Sequence, residues 1–206
     1  IGDVGCEALA FALQDNRTLK CLDISYNSIE FAGARCLSVS LSTKNATLSE
    51  LSLCGNMIGK LGTVFLAKAL KANASLTKLD LQYNSIFSCI KYRSNSTLRE
   101  LDLRYNSSTI AGEISLLKNC YNTTINWLRL SSIYSIHNFT EALLSCFSCL
   151  TRLELPQALN GATKQEFQYL ARALAQNKSL TELDLSYNAI EMESAKFLFK
   201  ACCANI

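Results

Sequence analysis

Leu76-Thr-Lys-Leu79-Asp-Leu81-Gln-Tyr-Asn84-Ser-Ile86 decides the fold. Its spacing, L-x-x-L-x-L-x-x-N-x-I, returns from Leu19, Leu48, Leu98 and Leu180, and more weakly from Ile125 and Leu150. Successive starts lie 29, 28, 22, 27, 25 and 30 residues apart. The fourth position is Leu in every copy (Leu22, Leu51, Leu79, Leu101, Leu128, Leu153, Leu183). The sixth is Ile24, Leu53, Leu81, Leu103, Leu130, Leu155 or Leu185. Alternation over so short a segment predicts a strand with one buried face. A single unit cannot bury that face, so the copies must stack. The Asn at the ninth position (Asn27, Asn56, Asn84, Asn106, Asn188) carries an amide able to satisfy backbone groups of the turn leaving the strand.

A second pattern follows the strand. Ile29…Gly33-Ala-Arg-Cys-Leu37-Ser-Val-Ser-Leu41 is matched by Ile58…Gly62…Leu66-Ala-Lys-Ala-Leu70, by Ile1…Gly5…Leu9…Leu13, by Leu170-Ala-Arg-Ala-Leu174 and by Ile190…Leu198. Leu at i and i+4 with small residues between gives one apolar stripe on a helix. Asn16, Asn45, Asn73 and Asn177 close these helices, as a C-terminal cap or turn residue. The whole chain 1–206 is thus expected to be one α/β solenoid of strand–turn–helix units. Two stretches break the pattern. Residues 87–97 have lost most of a helix, and 131–165 replace the ninth-position Asn with Ile133 and Ala158 and insert Pro156–Thr163. The array is expected to be bent and less regular there. Ile1 aligns with Ile29 and Ile58, and Ala204-Asn-Ile206 with Ala72-Asn-Ala74, so both ends read as cuts within a repeat.

Composition narrows the function. Hydrophobic content of 49% with 18% charged residues fits a folded chain. A net charge of +3 without any Lys/Arg run gives no basis for nucleic-acid binding. No stretch approaches the roughly 18 apolar residues of a membrane span. Neither a nucleophile–base pair nor a phosphate loop is recognisable, so no catalytic residue and no cofactor is assigned.

Leu180-Thr-Glu-Leu-Asp-Leu-Ser-Tyr-Asn-Ala-Ile190 and Gly33-Ala-Arg-Cys-Leu37 resemble the ribonuclease-inhibitor class of leucine-rich repeats, above all the C-terminal repeats of NLR-type intracellular receptors. The resemblance covers nearly the whole chain, with 87–97 and 131–165 departing from it. It implies a horseshoe with a parallel β-sheet on the concave face and helices on the convex face. It also implies a non-enzymatic, cytoplasmic module that binds a protein partner on the concave face, or holds a receptor inactive against its own flanking repeats or domains. Ran-type GTPase-activating proteins share this repeat class and stay an alternative.

The third, fifth and seventh residues of each unit are expected to line the exposed inner surface. Among them Lys78, Asp102, Arg104, Trp127, Arg129, Arg152 and Glu154 gather where the copies stop matching, and Trp and Arg are typical interface anchors. These seven are the candidate partner-binding residues. The alternative for Trp127 is cover for a gap left by the irregular repeat. The fifth-position acids Asp23, Asp80, Asp102 and Asp184 are expected to be solvated rather than metal-binding. Tyr26, Tyr83, Tyr105 and Tyr187 form a rim, read as packing between turns. Cys6, Cys36 and Cys202 fall at apolar helix positions, Cys146-x-x-Cys149 lacks a second pair for a zinc site, and reduced thiols are expected throughout. Eight N-x-S/T sequons (Asn16, Asn45, Asn73, Asn95, Asn106, Asn122, Asn138, Asn177) leave an extracellular, glycosylated receptor open. The repeat itself writes most of them, with Asn ending the helix and Ser or Thr entering the strand.

Overall fold

Positions three to five of each copy form a three-residue strand centred on the fourth-position leucine, and those leucines stack directly on one another in neighbouring copies. In the computed structural model, which describes residues 1–86, 95–106, 124–133, 136–146 and 148–203, seven such strands make one sheet. They are β1 (Cys21–Asp23), β2 (Glu50–Ser52), β3 (Lys78–Asp80), β4 (Glu100–Asp102), β5 (Trp127–Arg129), β6 (Arg152–Glu154) and β7 (Glu182–Asp184). All neighbours pair in parallel and in sequence order, with Leu22, Leu51, Leu79, Leu101, Leu128, Leu153 and Leu183 on one line. α1 (Gly2–Asp15) precedes β1, α2 (Phe31–Thr43), α3 (Gly59–Ala72), α4 (Ile136–Cys146) and α5 (Lys164–Gln176) run between strands, and α6 (Met192–Cys203) follows β7. Adjacent helices pack on each other, α1 on α2 on α3, and α4 on α5 on α6.

The core lies between sheet and helices. First-, fourth- and sixth-position residues of the inner units (Leu48, Leu51, Leu53, Leu76, Leu79, Leu81, Leu128, Leu130, Leu150, Leu153 and Leu155) are buried. From the helices come Leu37, Leu66, Leu70, Phe139 and Leu170. Leu22 and Leu183, on the outermost rungs, are only partly buried. That gradient is what nearest-neighbour stacking dictates, since an end rung has a neighbour on one side only.

Asparagines hold the turns in two parallel series. At the ninth position, the Asn56 carboxamide oxygen accepts from the N–H groups of Asn27 and Ile29 at 3.0 Å each, while its nitrogen donates to the carbonyls of Ile24 and Leu53. Asn106 repeats the arrangement, accepting from Asn84 and Ile86 and donating to the Leu81 and Leu103 carbonyls, and Asn84 does so in part, accepting from Ile58 and donating to the Leu53 and Gln82 carbonyls. At the helix end, the Asn73 oxygen accepts from Ser75 and Leu76, and its nitrogen donates to the Leu41 carbonyl of the preceding unit at 2.9 Å. Asn45 and Asn95 do the same toward Leu13 and Leu70. The backbone at Asn16, Asn73 and Asn177 is extended, with φ of −71°, −76° and −74°. These residues are therefore not left-handed caps: each carboxamide oxygen accepts the N–H groups two and three residues on, and Asn73 also pins two units together.

This geometry bears on the sequons. A glycan attaches through the carboxamide nitrogen, which at Asn45, Asn73, Asn95 and Asn106 is buried and already donating to the main chain. Half of the eight motifs thus place their acceptor inside the fold, and the sequon count loses its weight as a sign of secretion.

The irregular middle is described in part. The loss of a helix read over 87–97 falls, for residues 87–94, outside the described residues. At 131–165 the sheet is not interrupted: β5 and β6 keep register with their neighbours, and α4 and α5 follow them. The leucines at positions four and six carry the pairing, so losing the Asn at 133 and 158 costs turn hydrogen bonds rather than strand order. Ala158 and Leu159 of the insert are buried, and Leu159 N–H donates to the Asn188 oxygen at 2.7 Å. Thr163 then opens α5 with a reciprocal capping box to Glu166.

Candidate protein interface

Alternate strand residues point away from the core, so register decides which of them meet. Glu100, Trp127 and Arg152 stand side by side on β4, β5 and β6, and Asp102, Arg129 and Glu154 form the next line. On the central rungs these side chains cover one another. Asp102 is 2% exposed and Glu154 8%, against the expectation that both lie in solvent; Cys54 and Pro156, at seventh positions, are likewise buried.

The buried carboxylates are fully engaged by arginine. Arg104 holds Asp102 in a two-pronged grip, Nε at 3.0 Å and Nη2 at 2.7 Å, and Arg129 reaches the same carboxylate at 3.3 Å. Glu154 takes Arg129 Nε at 3.3 Å, Arg152 Nε at 3.0 Å and Arg104 Nη1 at 3.8 Å. It also accepts the Trp127 indole N–H at 2.9 Å. The guanidinium carbons of Arg129 and Arg152 lie 3.4 and 4.2 Å from the Trp127 ring centroid. Two cations on one part-buried indole are favourable because the ring quadrupole attracts both, while Glu154 offsets their mutual repulsion. Burial pushes the Asp102 carboxyl up, an effect partly offset by its hydrogen bonds from Arg104. The same hydrogen bonds push the Arg104 guanidinium up, so it stays charged.

Six of the seven candidate residues thus form one cluster: Asp102, Arg104, Trp127, Arg129, Arg152 and Glu154. Lys78 is one strand away and pairs with Glu50 and Glu100, each at 3.8 Å. Glu182, not among the candidates, completes the cluster by meeting Arg152 at 3.2 Å. The signal was its third-position place on β7, directly beside Arg152 in register. Trp127 does more than plug a gap, because both arginines and an acid are organised by it.

The fifth-position aspartates have a local duty. Asp23, Asp80, Asp102 and Asp184 each accept the N–H two residues on, from Ser25, Gln82, Arg104 and Ser186, at 2.8–3.1 Å. They turn the chain out of the strand. The Ser25 hydroxyl also donates to Asp23 and holds that carboxyl below its ordinary range. At the eighth position Tyr26, Tyr83, Tyr105 and Tyr187 have φ of 50–58°, and they are 72, 46, 40 and 80% exposed. The rings of Tyr83 and Tyr105 stack at 4.5 Å, and one face of Tyr26 lies on Gly55 of the next turn, so packing between turns holds for these three while Tyr187 stands largely in solvent.

Cys6 is buried as expected, and burial pushes its thiol up to about 12. Cys202, expected at an apolar helix position, is exposed instead. Among the described residues no group of three or more His, Cys, Asp and Glu is placed to hold a metal, and no helix is long and apolar enough to cross a membrane.

Comparison with known proteins points the same way. The sequence profile of the Leucine Rich repeat family matches residues 15–38, 72–86, 94–107 and 176–199. The chain is 30% identical over 208 residues to NACHT, LRR and PYD domains-containing protein 14 of Mus musculus, covering 95% of this chain and 21% of that protein. It is 29% identical over 219 residues to NACHT, LRR and PYD domains-containing protein 5 of Homo sapiens, covering 97% and 17%. The chain therefore spans about a fifth of the length of these relatives. Among solved structures, a tropomodulin C-terminal domain of Caenorhabditis elegans aligns over 98% of this chain and 92% of its own, at 14% identity and a TM-score of 0.37, a likeness on which nothing further rests. Profile, relatives and the seven-rung parallel sheet together show an α/β leucine-rich repeat solenoid, with repeats similar to those of NLR-type proteins.

Proposed function

We propose that the chain is a non-enzymatic protein-interaction array, acting as the ligand-sensing or autoinhibitory repeat region of a cytoplasmic receptor or effector, and that it binds a protein through its concave face. The observation that carries this reading is the cluster on β4 to β6. Three arginines and a tryptophan are fixed there by buried carboxylates, so their side-chain entropy is spent before a partner arrives. Seven strands at about 4.8 Å span roughly 29 Å, room for a standard patch of about 800 Å² per partner.

The test is the double change Trp127→Ala/Arg129→Ala in the full-length protein, purified from its native cells with its bound proteins quantified by mass spectrometry. Recovery of the concave-face partner is expected to fall at least about tenfold, the scale of one hot-spot side chain, with the circular dichroism spectrum unchanged. Equal recovery from a folded variant rejects the patch.

A further inference from the structure

The eighth position is an odd place for tyrosine. Its φ of 50–58° in four units is a conformation that a bulky side chain adopts only at a cost, and that Gly or Asn accepts readily. Gly stands there in the second unit, and Tyr26 uses the space: a Cβ on Gly55 would lie 2.3 Å from the Tyr26 ring. Tyr83 and Tyr105 stack next along the same edge. An exposed aromatic rim therefore borders the first four rungs, on residues that pack little of the core.

Beside that rim the sheet is acidic. Asp23, Glu50, Asp80 and Glu100 face Lys78 as the cation on β1 to β4 once Asp102 and Arg104 have neutralised each other, a balance of −3 on a chain of net charge +3. A depression lies among Cys21, Asp23, Glu50, Ser52, Lys78 and Asp80. The chain shows on its own central rungs what such a combination accepts. There an aromatic ring and a carboxylate hold guanidinium groups, at 3.4 Å to the Trp127 ring and 3.0 Å to Glu154.

We propose that the tyrosine rim and the carboxylates of β1 to β4 dock an arginine-bearing, cationic segment of a protein partner, laid across the first four rungs. Carboxylates attract any cation, whereas tyrosine faces favour the flat guanidinium, which stacks while its edge donates. The inference rests on the reading of the concave face as a protein-binding surface, and names the chemistry of what binds at one end of it.

The test measures fluorescence anisotropy of labelled nona-arginine, nona-lysine and nona-glutamate peptides with the full chain at two salt concentrations. Nona-arginine is expected to bind more tightly than nona-lysine, and nona-glutamate not at all. Tyr83→Asn/Tyr105→Asn removes both rings while keeping residues that tolerate positive φ. It is expected to weaken nona-arginine roughly tenfold, two exposed cation–ring contacts, and to narrow its lead over nona-lysine. Glu50→Gln/Asp80→Asn is expected to weaken both cationic peptides, because the carboxamide introduced at position 80 still closes the turn and only the charge is lost. Glu191→Gln/Glu193→Gln at the start of α6 is expected to change nothing. Unaltered nona-arginine binding in either concave-face variant, or a loss in the α6 control as large as theirs, overturns the proposal. If a protein partner is lost with Trp127 and Arg129 while the peptides ignore β1 to β4, this inference fails and the concave-face reading stands.

Discussion

Asp102→Ala is expected to destabilise the folded chain by about 3–5 kcal/mol, the penalty for removing one partner of a buried ion pair. Asp102 is 2% exposed and is the acid gripped at 2.7 Å by Arg104 and at 3.3 Å by Arg129. Deleting it leaves two partly desolvated guanidiniums with only Glu154 to share, and frees the Arg104 N–H that its carboxylate accepts. Asp102→Asn keeps the turn acceptor and loses only the charge, so it should fall between wild type and Asp102→Ala. Asp102→Leu/Arg104→Met, which removes acid and base together, should recover much of the loss. Urea midpoints followed by circular dichroism give the comparison. A loss under about 1 kcal/mol for Asp102→Ala would show the pair behaving as an exposed surface bridge.

Asn56→Ala comes next, at about 3 kcal/mol, because it strips a partner from five main-chain groups and each buried group left unsatisfied costs about 1–3 kcal/mol. The groups are the N–H of Asn27 and of Ile29 and the carbonyls of Ile24, Leu53 and Cys54, of which Leu53 keeps the Asn84 carboxamide and Cys54 keeps the Tyr26 N–H. Relaxation of the turn keeps the full sum from being reached. Asn188→Ala is the internal control. Its nitrogen donates to the carbonyls of Leu155, Leu185 and Ser186 and its oxygen accepts the Leu159 N–H, but its side chain is only part-buried, so water can replace it at about 1 kcal/mol. Equal losses at Asn56 and Asn188 would mean that burial is not what gives the series its strength.

How much of this was legible in the sequence follows from what repeats. The leucines at positions one, four and six recur because each faces the same core, so strand number, order and register could be read from spacing. The fifth-position aspartates and helix-end asparagines recur too, but spacing shows only that they are there. The asparagine hydrogen bonds run between units and needed coordinates: Asn73 reaches back to Leu41, a residue of the unit before it, whereas the main-chain bonds of the aspartates stay within their own turn. The central site was found through its exceptions, since Trp127 and Arg129 interrupt an otherwise polar pattern. Sequence alone placed Asp102 and Glu154 in solvent because position parity says which face a side chain takes, not how large its neighbours are. Glu182 was missed for the same reason, as its role comes from Arg152 on the adjacent strand.

The most direct measurement is site-specific photo-crosslinking in the full-length protein in its native cells. A benzophenone amino acid replaces Gln82 or Ser186 on the inner surface, or Lys68 or Lys196 on the helices. Covalent adducts to a protein, or to another domain of the same chain, are expected from the two inner positions and not from the two helical ones. Adducts confined to Lys68 and Lys196, with the inner surface silent, would contradict binding through the concave face.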